Sequence, residues 1–369
     1  MSRFARHHLI AGFDQDRLLR SRILVVGAGA IGNEVLKNLA LLGTGTIHLL
    51  DPDLIEESNL TRSILFRDSD LGQPKARIAA EACARLFPAG RFTWSRATFW
   101  EWASLARLRE FDAAVAATDN LESRLQLNRL CRLAPVDLFN AGIDARHVAI
   151  EAFPFRSDPG CACYECTLPA TAHTHRRARL SCGGLRHAAA RESRIPTTAI
   201  TSSHAGAGLS AALLNTFFQH PARPHGAFRQ LLDTANPLAS SAVTITPATA
   251  CPECADGLPA ERRAAAPSLR ELPPDWRAGL NSDLLLSNPI VLGTACPGCG
   301  EQRELLLSAE EADDRLQWCA RCARPSARVT LRDQLSLAEL RRLPATTALP
   351  VKYLSFSRPH QTVLIEINP

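Results

Sequence analysis

Asp53, Asn59, Arg62, Lys75 and Asp119 form an ordered polar series within the first 120 residues. Four of them fall in "DPDLIEESNLTRSILFRDSDLGQPK" (Asp51 to Lys75), and Asp119 follows a short apolar run. Two cations of this kind, Arg62 and Lys75, can neutralise a triphosphate. Asn59 can hydrogen-bond a phosphate or ribose oxygen, and an acid at the end of a strand, Asp119, can hold Mg²⁺. Catalysis by such a set rests on positioning and charge neutralisation. None of these residues has a task in hydride transfer by a nicotinamide enzyme. Each alone is an ordinary surface charge, so the weight lies in their order.

The elements that must position this set begin with "RILVVGAGAIG", Arg22 to Gly32. A continuously apolar strand, buried on both faces of a parallel sheet, runs into Gly-x-Gly-x-x-Gly. Gly27 permits the tight turn, Gly29 lets a phosphate approach the backbone, and Gly32 lets the following helix pack close. A second strand, "TIHLLD", ends at Asp51, 19 residues past Gly32. That is the expected place for a carboxylate on ribose hydroxyls. The fingerprint alone admits NAD, FAD or ATP.

Around these elements the chain alternates strand and helix. Residues 1 to about 20 read as a helical lead-in, and the alternation runs from Ser21 to about Pro154. Strands are expected at Arg91–Phe99, Phe111–Thr118 and Val136–Ile143, with a helix at Asn120–Ala134. The fold class is α/β, a doubly wound Rossmann-like nucleotide-binding domain. Residues 159–195, rich in Cys, Gly and basic residues, read as a long loop. A small-residue helix is expected at Ala205–Gln219, with the strand "SSAVTITPA" after it. Residues 1–257 form the main domain, and the Pro- and Ala-rich stretch 258–289 reads as a linker. Residues 290–369 read as a small α+β module with a short helix and a final strand, "TVLIEI".

The chain has twelve cysteines, and in a reducing compartment so many mean metal or chemistry more often than disulfides. "CACYECTL" holds Cys161, Cys163 and Cys166, and "CPEC" holds Cys251 and Cys254. Two C-x-x-C pairs fit a tetrahedral Cys₄ zinc site, although 84 residues lie between Cys166 and Cys251. Cys296 and Cys299 pair with Cys319 and Cys322 across 19 residues, a zinc-ribbon spacing. Both zinc sites would be structural, and the ribbon would staple a module with little core. Cys83 and Cys131 lie in apolar helical patterns and read as inert thiols. Cys182 differs. It follows Arg176, Arg177 and Arg179 and precedes Gly183 and Gly184, a setting that favours thiolate and close approach.

Composition narrows the function classes. Hydrophobic content of 46% and charged content of 21% are those of an ordinary globular protein. A net charge of +5 over 369 residues, with no basic stripe interleaved with aromatics, argues against nucleic acid. "THRRARL" reads as a solvated loop. No stretch has the length and apolarity of a membrane span, and the N-terminus lacks a signal-peptide core, so a cytoplasmic location is expected.

The ordered set resembles the ThiF/MoeB/HesA family, the bacterial relatives of ubiquitin-activating enzymes, over about residues 1–255. "RFARH" (Arg3–His7) is similar to the family's R-Y-x-R-Q, and "GAGAIG" to its G-x-G-G-L-G. "DPDLIEESNLTRS" (Asp51–Ser63), "GQPK" and "DNLESR" (Asp119–Arg124) complete the match. Ser63 stands where the family has Gln, Ala30 where it has Gly, and His7 where it has Gln. The resemblance implies that ATP adenylates the C-terminal carboxylate of a small ubiquitin-like or sulfur-carrier protein, usually ending in Gly-Gly. It implies a homodimer in which Arg6 reaches the partner's ATP site. It also selects Cys163 and Cys166 for the first zinc site, leaving Cys161 a spare thiol or alternative ligand. Cys182 then becomes a candidate acceptor of the acyl group as a thioester, and the C-terminal module a docking site for the modifier or a conjugating enzyme. Sulfur-carrier activation for thiamine or molybdopterin synthesis, and adenylation of a peptide precursor, are the alternatives. A nicotinamide oxidoreductase or a non-catalytic scaffold would leave Arg62, Lys75 and Asp119 without a role.

Overall fold

The computed structural model describes residues 3–169, 197–220, 225–249, 251–255, 261–265, 284–309, 312, 314–336, 338–339, 349–358 and 361–367. They divide into two compact units. The first holds the residues up to Thr167 and those from 197 to 255; the second holds Leu168, Pro169 and those from 261 onward.

The first unit is built on an eight-stranded mixed sheet in the order β3-β2-β1-β4-β5-β6-β7-β8. Its parallel half comprises β1 (Arg22–Val26), β2 (Thr46–Leu50), β3 (Arg91–Ser95), β4 (Ala113–Ala116) and β5 (Asp137–Ile143). The antiparallel half adds β6 (His147–Phe153), β7 (Phe228–Asp233) and β8 (Asn236–Thr244). The parallel sheet expected around β1 holds for the first five strands. It turns back because Asp144 to Arg146 forms a tight corner, with the Asp144 N–H bonded to the His147 carbonyl, and a corner that short can join only antiparallel neighbours.

Helices cover both faces, as the alternating pattern implies. Helix α1 is Gln15–Arg20. α2 (Ala30–Leu42), α3 (Lys75–Leu86) and α7 (Ala199–Phe217) share one core with Ile23, Val25, Ile47, Leu49 and Val115. The short helices α4 (Phe99–Trp102) and α5 (Leu105–Leu108) pack with α6 (Leu121–Leu133) on the other face. α6 begins one residue after Asn120, whose side chain accepts the N–H groups of Glu122 and Ser123. β3 is shorter than the expected strand because Thr98 forms a capping box that starts α4 at Phe99. α7 starts six residues before its apolar pattern, where Thr198 caps it.

The second unit is β-rich in its described residues. Its six-stranded sheet runs β11-β10-β15-β16-β9, with β14 also on β10. The strands are β9 (Glu261–Ala265), β10 (Leu284–Ala295), β11 (Gln302–Ser308), β14 (Arg328–Leu335), β15 (Tyr353–Arg358) and β16 (Gln361–Ile367), with a short pair β12 (Trp318–Cys319) and β13 (Arg324–Pro325) beside them. β16 is the expected final strand. The expected linker 258–289 is not free of structure: β9 pairs in parallel with β16, and β10 begins at Leu284. Composition misled here because a Pro- and Ala-rich stretch hides the short strand between its punctuating residues. The helix expected in "LAELRRL" falls largely outside the described residues.

Candidate active site

The Gly-rich turn sits between β1 and β4. Gly27 has φ +103°, and a Cβ there would lie 2.5 Å from the Ala117 carbonyl oxygen. A Cβ on Gly32 would lie 2.0 Å from the Gly27 carbonyl oxygen, so α2 packs on the turn only with glycine at that position. Gly29 differs, since a Cβ there meets nothing within 4 Å. The fold does not demand glycine at 29, and the space it leaves lies in front of the α2 N-terminus.

That N-terminus is open. α1, α4, α5, α6 and α7 each begin with a side chain that accepts a first-turn N–H. α2 and α3 do not; their N-cap residues are Gly29 and Pro74. Helix starts without a cap side chain present unpaired N–H groups and a positive dipole end, the arrangement that receives phosphate, although in α3 the first N–H, that of Lys75, is taken by the Asp53 carbonyl.

Asp51 is buried at the end of β2. The Ala28 N–H donates to Oδ2 at 2.7 Å and the Asp53 N–H to Oδ1 at 2.8 Å. Burial raises its pKa, against the pull of those two backbone bonds and of Lys75. Asp51 therefore ties the Gly-rich turn with one oxygen and its own loop, at Asp53, with the other, an internal task beyond the ribose role expected for it. Asp53 is exposed and pairs with Lys75, Nζ to Oδ2 at 3.0 Å. The Lys75 side chain is only 12% exposed. The chain reaches this pairing by folding back: Leu54 bridges Pro74, and the Lys75 N–H donates to the Asp53 carbonyl.

Asn59 lies in a helical turn, Glu57–Asn59, where its side chain accepts the Glu56 N–H at 2.9 Å. Arg62 follows, with Nη1 on the Ser58 carbonyl at 2.6 Å. Ser63 is buried. Sequence reasoning missed Asn33, which joins this segment to the turn. Its Nδ2 donates to the carbonyls of Ala28 (2.7 Å) and Gly29 (3.1 Å), and its Oδ1 accepts the Leu65 N–H (2.9 Å). The available signal was a polar residue on the inner face of an apolar helix.

Asp119 is exposed just past β4, two residues beyond Ala117, whose carbonyl crowds Gly27. Arg124, the last residue of "DNLESR", sets this strand end. It donates to the Thr118 carbonyl, the Asn140 side chain and, at 2.7 Å, the Ala141 carbonyl. Asn140 continues to the buried Glu151, which also holds Arg229. Arg6 is exposed before the turn His7–Leu9, and its side chain makes no hydrogen bond or ion pair to the set above among the described residues. Cys182 lies outside the described residues.

The cysteines gather as two Cys₄ clusters that could bind zinc. In each, the four sulfurs lie within 4.8 Å of one another. The first joins Cys163, Cys166, Cys251 and Cys254, with Sγ contacts of 3.6 Å (163–251), 3.5 Å (166–254) and 4.0 Å (163–166). The second joins Cys296, Cys299, Cys319 and Cys322, with contacts of 3.7 and 3.5 Å. A zinc–sulfur bond of about 2.3 Å gives a tetrahedral edge of roughly 3.8 Å, which these spacings match. The polar face of α6 carries the first cluster: the Asn128 Oδ1 accepts the Tyr164 N–H, and Arg129 pairs with Glu253. Cys161 is not one of the four. Burial, with Asp158 and Asp137 adding to it, pushes its thiol up to about 12. Burial likewise pushes Cys83 up to about 12 and raises Cys131, as inert thiols require. No described helix is long and apolar enough to cross a membrane.

A model of the ThiF family matches residues 2–296. The molybdopterin-synthase adenylyltransferase of Escherichia coli (strain K12) is 35% identical over 169 residues, 45% of this chain and 67% of that enzyme. The SAMP-activating enzyme E1 of Haloferax volcanii is 33% identical over 175 residues, 46% of this chain and 62% of the relative. A ubiquitin-activating enzyme E1-like protein of Saccharomyces cerevisiae is 35% identical over 172 residues, but these span only 26% of its length. Among solved structures, E. coli MccB with AMPCPP and MccA shares the fold, with a TM-score of 0.55 at 21% identity over 69% of this chain and 74% of that one. With the Gly-rich turn, the two open helix starts, Lys75 and the paired cysteine knuckles all in place, the chain belongs to the ThiF family, the enzyme family of these adenylyltransferases and E1-like activating enzymes.

Proposed function

We propose that the protein uses ATP and Mg²⁺ to adenylate the C-terminal carboxylate of a ubiquitin-like or sulfur-carrier protein. The carboxylate oxygen attacks the α-phosphorus, the bond to the β-phosphate oxygen breaks, and pyrophosphate leaves; Mg²⁺, when bound, would offset its charge. The observation that carries this reading is the largely buried side chain of Lys75 at the uncapped start of α3, with α2 likewise uncapped. The N–H groups beyond Gly29 receive phosphate. Lys75 and Arg62 offset the charge that develops on the leaving pyrophosphate, and Asn59 orients a phosphate or ribose oxygen. Asp119 would hold the metal. Zinc in the two Cys₄ clusters is structural, since four thiolates close the coordination sphere.

The finer assignments rest on the family resemblance. The acyl group passes from the adenylate to Cys182 as a thioester, AMP leaving as the thiolate attacks. Arg6 serves the partner's site in a cytoplasmic homodimer, and the C-terminal module docks the modifier or a conjugating enzyme. ATP–pyrophosphate exchange, stimulated by a Gly-Gly-ended protein and strongly lowered in Lys75→Ala, is the expected result; exchange that ignores every such protein would overturn it. Intact mass spectrometry without reductant tests the second step. A thiol-sensitive adduct absent from Cys182→Ala supports transfer to that cysteine, whereas AMP without an adduct replaces it with sulfur-carrier or peptide adenylation. Elemental analysis is expected to give two zinc ions per chain.

A further inference from the structure

A cavity of about 250 Å³ opens at the edge of the sheet opposite the Gly-rich turn. It lies where β1, β2 and β3 begin, so β1 separates it from the nucleotide loop by roughly 13 Å, four residue rises. Arg22, Arg91 and Arg107 bring three positive charges to its lining, against one negative charge, Glu110. Glu110 is spent on Arg22, Nη2 to Oε2 at 2.7 Å. The nearby Asp112 carboxylate accepts the Arg22 N–H and pairs with Arg156. Arg107 bonds the Trp102 carbonyl with one nitrogen and lies 5.6 Å from the Trp102 ring centroid. Among the described residues the Arg91 guanidinium has no hydrogen-bonding or ionic partner.

The rest of the wall combines the rings of His48, Trp102 and Phe111 with Thr46 and Thr93. The His48 and Trp102 rings stack at 4.8 Å, and Phe111 meets Trp102 edge-on at 6.0 Å. His48 is uncharged at neutral pH, because burial, with Arg107 adding to it, drives its pKa down to about 4. Its nitrogens are taken up by the hydroxyls of Thr93 (2.8 Å) and Ser95 (3.3 Å). An uncompensated positive charge beside aromatic plates selects an anion that also carries an apolar ring. The volume lies below the about 300–1,000 Å³ of typical small-molecule sites, so one ring fills it.

We propose that this cavity is a second ligand site, taking a small oxyanion, a phosphate ester or a carboxylate, carried on a single planar ring. Arg91 and Arg107 grip the anion, and Trp102 and Phe111 cover the ring. The site lies outside the adenylation machinery and does not depend on it.

Titration of the full chain with phenyl phosphate, benzoate and inorganic phosphate, followed by calorimetry and tryptophan fluorescence, tests the assignment. Phenyl phosphate is expected to bind saturably and to change the Trp102 signal. Arg91→Ala and Arg107→Ala should each weaken it at least about tenfold, with Arg91→Lys restoring part of the loss. Benzoate binding as well identifies the oxyanion as the shared determinant, and weaker binding of ring-free phosphate identifies the aromatic wall. Lys75→Ala should bind phenyl phosphate as the wild type does. Absence of saturable binding, or binding lost in Lys75→Ala and kept in Arg91→Ala, would overturn the proposal. Because Arg91 is exposed, its replacement leaves the melting temperature as a check that the fold survives.

Discussion

At the two edges of the eight-stranded sheet, the same strands carry opposite means of attracting an anion. At the C-terminal edge the positive potential comes from backbone: the open starts of α2 and α3, with Lys75 added. At the N-terminal edge the helices present their negative ends, and side chains must supply the charge, here Arg22, Arg91 and Arg107. Each edge also buries one titratable group, and burial moves both away from charge. The carboxyl of Asp51 rises and the imidazole of His48 falls. Asp51 is held by two backbone N–H groups at fixed positions, whereas His48 is held by two rotatable hydroxyls. The nucleotide edge is therefore the more rigid, and substitutions there should cost more.

The largest contrast is expected from lysine against arginine. Lys75→Ala should lower ATP–pyrophosphate exchange by about 10²- to 10³-fold, the loss typical of one charge-stabilising group, while Arg91→Ala leaves exchange unchanged. Comparable losses in both variants would erase the distinction between the edges. Next come the glycines. Gly32→Ala drives a Cβ into the Gly27 carbonyl and should destabilise the fold by at least about 2 kcal/mol in urea unfolding. Gly29→Ala has free space and should cost less than about 1 kcal/mol, the penalty appearing instead in nucleotide affinity. A Gly29 variant that binds nucleotide normally would show that the open space serves no ligand. Asn33→Ala leaves the Ala28 carbonyl and the Leu65 N–H without their partner, while the Gly29 carbonyl keeps the backbone N–H of residue 33, a loss of about 2 kcal/mol in the same assay. The smallest effect is a pH dependence at the other edge. Between about pH 4 and 6.5 the unfolded chain holds the His48 proton and the folded chain does not. The His48 contribution is thus fully present above pH 6.5 and is lost as pH falls toward 4. Urea midpoints measured across that window should rise with pH less steeply in His48→Gln; identical slopes would place the imidazole in solvent.

Much of the nucleotide edge was legible because its signals are local. A Gly-x-Gly-x-x-Gly between an apolar strand and a helix, an acid closing the next strand, and Asn120 ahead of a helical period each depend on neighbours a few residues away. Asn33, Glu151 and Arg229 were not legible, because their partners lie on other elements and a buried polar residue has no distinctive spacing. The role of Asp51 was half visible: its position announced a carboxylate, but only the fold shows both oxygens turned to backbone. The aromatic and arginine wall of the opposite cavity left no pattern either. Its residues come from three strand starts and a helical segment, 22 to 111, with nothing periodic between them.

The sequence by itself determined the α/β alternation, the Gly-rich turn and the four C-x-x-C knuckles, since backbone conformation and thiolate spacing are short-range properties. Tertiary structure decided the rest: how the sheet turns antiparallel after β5, that Asn33 joins the turn to the Leu65 segment, and that Lys75 folds back onto Asp53. Those outcomes depend on burying apolar faces and pairing buried polar groups between segments distant in the chain, and no local spacing encodes which distant segment will be the partner.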